Sequence, residues 1–180
     1  MIPYRKSASP SVVGQIVLRI NGRSVEAAIV AGEHGIVVSD TSALAKRLRT
    51  FRTSTDQRGA SRGTPAVADS IGLGRLSITD YPIAIRPLPD GHQAVIGLDV
   101  LARYAPTFDP RTERVALRST GTVARNATGV DEIPTLFTRD DVRVLQATGW
   151  MSINQPQVAR ILASRRWTLD ARRGQLVVDR

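Results

Sequence analysis

Residues 94–117 read AVIGLDVLARYAPTFDPRTERVAL, and this stretch decides the fold. Ala94, Val95 and Ile96 lead into Gly97, a short helical segment covers 98–104, and an extended segment follows at 106–108. A turn at Asp109-Pro110-Arg111-Thr112 sends the chain back as a second strand over 114–117. Proline at the second position of a turn presets φ and suits type I. A glycine after an apolar run marks a place where backbone passes close to backbone.

Working outward, residues 12–20 alternate well enough for a strand, with Val13, Ile16, Leu18 and Ile20 as its apolar set. Asn21-Gly22 is a two-residue hairpin signal that needs positive φ at both positions. The returning strand, 25–30, is apolar along most of its length, as a strand covered on both faces would be. Residues 36–38 are apolar, and a helix is expected over 41–48 with Ser39 or Asp40 as its N-cap. Residues 49–65 are polar and glycine-bearing. Strands are expected around 68–71, 76–78 and 83–85, followed by a turn-rich loop at 87–91. Residues 1–11, polar with two prolines, read as a loose leader.

The bulk properties bound the answer. At 180 residues the chain is one domain, or one domain with an appendage. It has no cysteine, hence no disulfide or thiolate chemistry. The net charge of +9 is carried almost wholly by arginine, since Lys6 and Lys46 are the only lysines. The arginines are scattered rather than striped along one face, which reads as a solvated surface. Few aromatics means no stacking platform for single-stranded nucleic acid, so nucleic acid is not the expected partner. His34 and His92 lie far apart in the chain, so no metal site is expected, and no cofactor is called for. No run approaches membrane-spanning length, and the first residues lack a signal-peptide core. The expected compartment is the cytoplasm, or the periplasm or exterior if an export signal lies outside this sequence.

The block at 94–117 resembles the end of a retropepsin-like, single-lobe aspartic protease domain. Gly97, Leu98, Asp99 and Leu101 match that family's glycine loop and short helix, and Thr107, Phe108 and Asp109 match its closing strand. Residues 20–30 look like the hairpin that delivers the catalytic strand, and Leu73-Gly74 within 70–85 like the strand pair before the glycine loop. The resemblance implies a mainly β closed barrel over residues 12–118, with Ile96 and Gly97 threading the active-site loop. It also implies a flap over 49–65, with Gly59, Ser61 and Gly63 at its tip as substrate-binding positions. The family's Asp-Thr-Gly triplet falls on Ala31, Gly32 and Glu33, so the catalytic aspartate is missing. That chemistry needs two carboxylates sharing one proton, and a single lobe takes the second from a symmetry mate. Asp40, in Asp-Thr-Ser-Ala, resembles a variant of the triplet and is the alternative catalytic residue. Its other reading is the helix cap already named.

Beyond the barrel, 119–137 reads as a linker and 138–180 as a small α+β extension. Thr138, Asp140 and Asp141 open an expected helix over 138–150 with Val142, Val144 and Leu145 inward. A second helix is expected over 155–166 with Pro156 early, then a hairpin over 167–178 about Asp170-Ala171-Arg172-Arg173-Gly174. Residues 161–178, ILASRRWTLDARRGQLVV, align without gaps on 100–117, keeping Leu, Ala, Thr, Asp and Arg. Chance, a vestigial second lobe, and an extension covering an open edge all account for this echo. Helix, turn, helix and basic hairpin is also the order of a winged-helix DNA binder. Three functions follow: a catalytically degenerate member of the family that binds a peptide or protein, an active homodimeric endopeptidase using Asp40, and nucleic-acid binding through the tail.

Overall fold

A computed structural model describes residues 1–6, 12–51, 63–118, 130–137, 141–147 and 149–179. In chain order the elements are β1 (Ile2–Lys6), β2 (Val12–Ile20), β3 (Arg23–Val30), β4 (Ile36–Ser39), β5 (Arg49–Thr50), β6 (Thr64–Leu73), β7 (Leu76–Arg86) and β8 (Ala94–Gly97). There follow α1 (Leu98–Ala102), β9 (Thr107–Asp109), β10 (Arg114–Ala116), β11 (Val130–Phe137), β12 (Val142–Gln146), β13 (Gly149–Ser152), α2 (Pro156–Ser164), β14 (Trp167–Asp170) and β15 (Gln175–Asp179).

The barrel closes through the circuit β2-β3-β8-β4-β7-β6, with β6 returning to β2 at Ile20↔Ile71. Asn21 and Gly22 take φ of +48° and +77°, the conformation that the tight β2–β3 hairpin demands. Two of the pairs, β3–β8 and β4–β7, are parallel, and the rest of the circuit is antiparallel. Parallel neighbours need crossovers, which puts the chain on both faces of these strands. All four residues of β4 and of β8 are accordingly buried. Ile16, Leu18, Ile20, Ile29, Ile36, Ile71, Leu73 and Ile96 fill the interior. The fold is mainly β, a closed six-stranded mixed barrel with few helices, as expected. No helix among the described residues is long and apolar enough to cross a membrane.

The structure corrects several local expectations. The leader is a strand at its start: β1 pairs with β2 on one side and β10 on the other, burying Ile2 and Tyr4. Its partner β10 lies more than a hundred residues away, so local composition carried no trace of it. The helix expected over 41–48 shrinks to a single 3-10 turn at Ala45–Arg47. Ser39 remains in β4, and Leu48 turns extended to enter β5, leaving room for no more. Neither Ser39 nor Asp40 caps that turn. The short strands around 76–78 and 83–85 are one long strand, β7, which passes Asp80 at φ +49°.

The larger corrections lie in the tail. Residues 119–129 of the expected linker fall outside the described residues, but 130–137 is β11, not linker. The helix expected over 138–150 is the hairpin β12–β13. Val142 and Val144 are both buried while Leu145 is exposed, a period of two that β-branched residues favour. Among the described residues, a strand hairpin thus stands in place of the first helix of the expected helix-turn-helix order. The second helix and the last hairpin form as expected, as α2 and β14–β15. One continuous apolar core runs from Ile16 and Ile29 through Phe108 into Trp167, Leu169, Leu176 and Val178.

Candidate functional site

The parallel pair β3–β8 brings Val30 opposite Gly97. Past Val30 the chain leaves the sheet as a loop, 31–35, and Gly97 sits directly on it. The Gly97 N–H donates to the Gly35 carbonyl at 2.7 Å. A Cβ at position 97 would fall on the Glu33 carbonyl oxygen and the Asp99 carboxylate, so close approach, not backbone angle, demands glycine here. Ile96 and Gly97 therefore cross the loop that begins where β3 ends.

Ala31, Gly32 and Glu33 occupy that loop. Ala31 is 6% exposed, and its methyl can neither accept nor donate a proton. Glu33 accepts the His34 N–H at 3.4 Å and is ion-paired with Arg86 from the end of β7. Asp99, in the first turn of α1, accepts the Gly35 N–H on both oxygens at 3.1 and 3.3 Å, with His34 Nδ1 3.8 Å away. Both carboxylates are thus engaged in holding the loop. Arg86 and Asp99 were not singled out as site residues from sequence. Asp99 stood in the glycine-loop motif, whereas nothing local marked Arg86.

Asp40 lies elsewhere. Strand β4 runs antiparallel to β8, with Ile36↔Ile96 and Val38↔Ala94, so its far end points away from Gly97. Asp40 is four residues beyond Ile36, about 13 Å along a strand. It is exposed, and its N–H donates to the Arg86 carbonyl at 3.2 Å. Its neighbours Ser39 and Thr41 share a hydroxyl hydrogen bond of 2.8 Å. A cavity of about 410 Å³ opens at that end between Arg23, Ser39, Thr41 and His92.

Of the expected flap positions, Gly59 and Ser61 lie outside the described residues. Gly63 sits at the base of that segment at φ +72°, packed so that a Cβ would come within 2.5 Å of the Ile85 carbonyl. Strands β5 and β6, which flank the segment, pair at Arg49↔Val67. A second cavity, of about 400 Å³, lies beside the loop clamp, between Asp99, Ala102 and Arg103 of the α1 region and Ala171-Arg172 of the last hairpin turn. Burial pushes the Tyr81 phenol above its ordinary pKa, against the pull of Arg103 and alongside Asp99, so these three share one electrostatic neighbourhood. Among the described residues no three His, Asp or Glu side chains gather as a metal cluster.

No family model matches the sequence. No curated protein matches it. Among solved structures the chain is similar to a retropepsin-like aspartic protease from Rickettsia conorii, at 17% identity over 58% of this chain and 79% of that one, with a TM-score of 0.40. It is also similar to the retroviral protease-like domain of Ddi1 from Leishmania major, at 15% identity over 57% of this chain and 86% of that one, with a TM-score of 0.39. By its own strand circuit, this chain carries a closed six-stranded mixed β-barrel.

Proposed function

We propose that this protein is a catalytically degenerate retropepsin-like domain that works by binding an extended segment of a partner protein. The observation that carries this reading is the crossing of Gly97 over loop 31–35. The position that would need an ionisable carboxylate holds the Ala31 methyl, and Glu33 and Asp99 are engaged by Arg86 and by the Gly35 N–H. General acid–base hydrolysis by a proton-sharing pair has no first member there. What remains is a concave surface beside the loop, flanked by Arg103 and Arg172. Cavities of this size, with a few placed polar groups, suit recognition of a short stretch of side chains. The net charge of +9 favours a segment carrying acidic residues.

A random peptide library tests both halves of the reading. Incubated with the protein from acidic to neutral pH and read by mass spectrometry, the library gains no new termini over buffer. Displayed on phage, it yields captured sequences enriched in Asp and Glu, and an Arg103→Glu/Arg172→Glu double variant loses them. New termini that vanish in Asp40→Asn and under a statine-type inhibitor would overturn the proposal in favour of an active peptidase. A library that yields no captured sequence would sink the binding role.

A further inference from the structure

We infer that residues 130–179 are an abbreviated internal copy of the barrel's own framework, folded back across a twofold axis between Thr107 and Thr168. This copy covers the edge of β9, where a strand of a second chain could otherwise add. The sheet running across this edge has the order β11-β15-β14-β9-β10-β1, which reads the same from either end once each strand is replaced by its counterpart.

The copy is specific in register. Hairpin β9–β10 pairs Asp109↔Arg114, Phe108↔Val115 and Thr107↔Ala116. Hairpin β14–β15 pairs Asp170↔Gln175, Leu169↔Leu176 and Thr168↔Val177, each 61 residues on. In both turns the leading aspartate accepts the N–H three residues later, Thr112 on Asp109 at 3.3 Å and Arg173 on Asp170 at 3.2 Å. The residue closing each turn has positive φ, Glu113 at +50° and Gly174 at +61°.

The correspondence continues past the segment whose sequences align. Ile2 and Pro3 of β1 face Val115 and Arg114, while Ile133 and Pro134 of β11 face Leu176 and Gln175. The Tyr4 N–H donates to the Glu113 carbonyl at 2.9 Å, and its counterpart Thr135 donates to Gly174 at 2.6 Å. Strand β12 sits on β11 as β2 sits on β1, with Thr135↔Val144 against Tyr4↔Ile16, and β13 follows as β3 does. The copy then omits the equivalent of residues 31–97. Only Ile153, Asn154 and Gln155 join β13 to α2, so it has no cleft loop, no flap and no β8.

The two halves meet as an isologous pair does: where one residue faces the counterpart of a second, that second meets the counterpart of the first. Thr107 faces Thr168, its own equivalent, with the hydroxyls 2.8 Å apart. Phe108 faces Trp167, and the Leu169 N–H donates to the Pro106 carbonyl at 3.0 Å. Thr107, Thr168, Phe108 and Trp167 are all buried by this contact. A second chain could reach β9 only by displacing β14. The protein is therefore a monomer with one cleft, and no symmetry mate completes it.

The test uses the full chain, which has no cysteine of its own. Facing residues of an antiparallel pair hold their Cβ atoms about 4.5–5.5 Å apart, close to the span a disulfide needs. A Thr107→Cys/Thr168→Cys variant, oxidised dilute and concentrated, runs as a monomer on a non-reducing gel and carries one intramolecular disulfide by mass spectrometry. A cross-linked dimer overturns the inference. Sedimentation equilibrium of the unaltered chain gives 19.5 kDa at every concentration, and a species of twice that mass that grows with concentration also overturns it. Neither readout involves peptide, so this result stands apart from the function proposed above.

Discussion

Tyr4 shows how much one side chain can organise. Its ring lies where Gly14 leaves room, since a Cβ at 14 would fall on it, and the β2–β3 register shifts at that point. The same ring meets Phe108 edge-on at 5.6 Å, tying β1 to β9 across the intervening β10. The hydroxyl donates to the Val13 carbonyl at 2.8 Å. Burial pushes the phenol from 10.0 up to about 12. The folded state thus favours the neutral form more than the unfolded chain does. Stability is full below about pH 10 and falls as pH rises toward about 12, where the folded phenol ionises as well. Tyr4→Phe should lower stability by about 1 kcal/mol at neutral pH through the lost hydrogen bond. It should also flatten the decline in urea midpoint across that alkaline window, and a decline as steep as the parent's would mean that Tyr4 does not drive it.

At the scale of elements, the contact between β9 and β14 joins the two halves. Phe108 and Trp167 stack at 4.1 Å with their planes 20° apart. Because one core spans both halves, Trp167→Ala should destabilise the whole chain by about 3–5 kcal/mol. Urea unfolding followed by amide exchange should show the barrel strands losing protection together with α2 and β14. Unchanged protection in β2, β3 and β8 would mean that the tail folds on its own. This junction was only half legible in the sequence. The matching Leu, Ala, Thr, Asp and Arg of 161–178 stood out, but a helix and hairpin recur often enough that chance remained open. What decided it was register, in Ile133-Pro134 standing where Ile2-Pro3 stands, and register is a long-range property. The barrel itself was more legible. Asn21-Gly22 states its own φ requirement, and Gly97 states its own close approach. Val142 and Val144 misled because the acidic residues before them imitate a helix start, whereas their alternation is a strand's. At the site, the family resemblance implied that Ile96 and Gly97 pass the loop after β3, where Ala31, Gly32 and Glu33 stand. The Arg86–Glu33 pair was not legible, because β7 reaches the loop only through the parallel pairing with β4.

At the scale of the whole molecule, on the function proposed above, the alanine at position 31 and the truncated copy bear on the same chemistry. A chain that relied on a second copy could regain activity by one substitution, because symmetry would supply both carboxylates at once. Here β14 already covers the edge of β9, and the internal counterpart joins β13 to α2 through Ile153, Asn154 and Gln155 alone. Ala31→Asp would restore one carboxylate only. It would enter a site that is 6% exposed, beside a loop whose N–H at Gly35 is already held by Asp99. An unpartnered buried carboxyl raises its own pKa and costs about 1–3 kcal/mol. The Ala31→Asp protein should therefore be monomeric, less stable by that amount, and no faster than the parent on a fluorogenic peptide series from acidic to neutral pH. The informative measurement is kcat/KM against protein concentration. A rate that appears in Ala31→Asp and rises with the square of concentration would show two chains pairing to build a dyad, against the closure of β9 by β14.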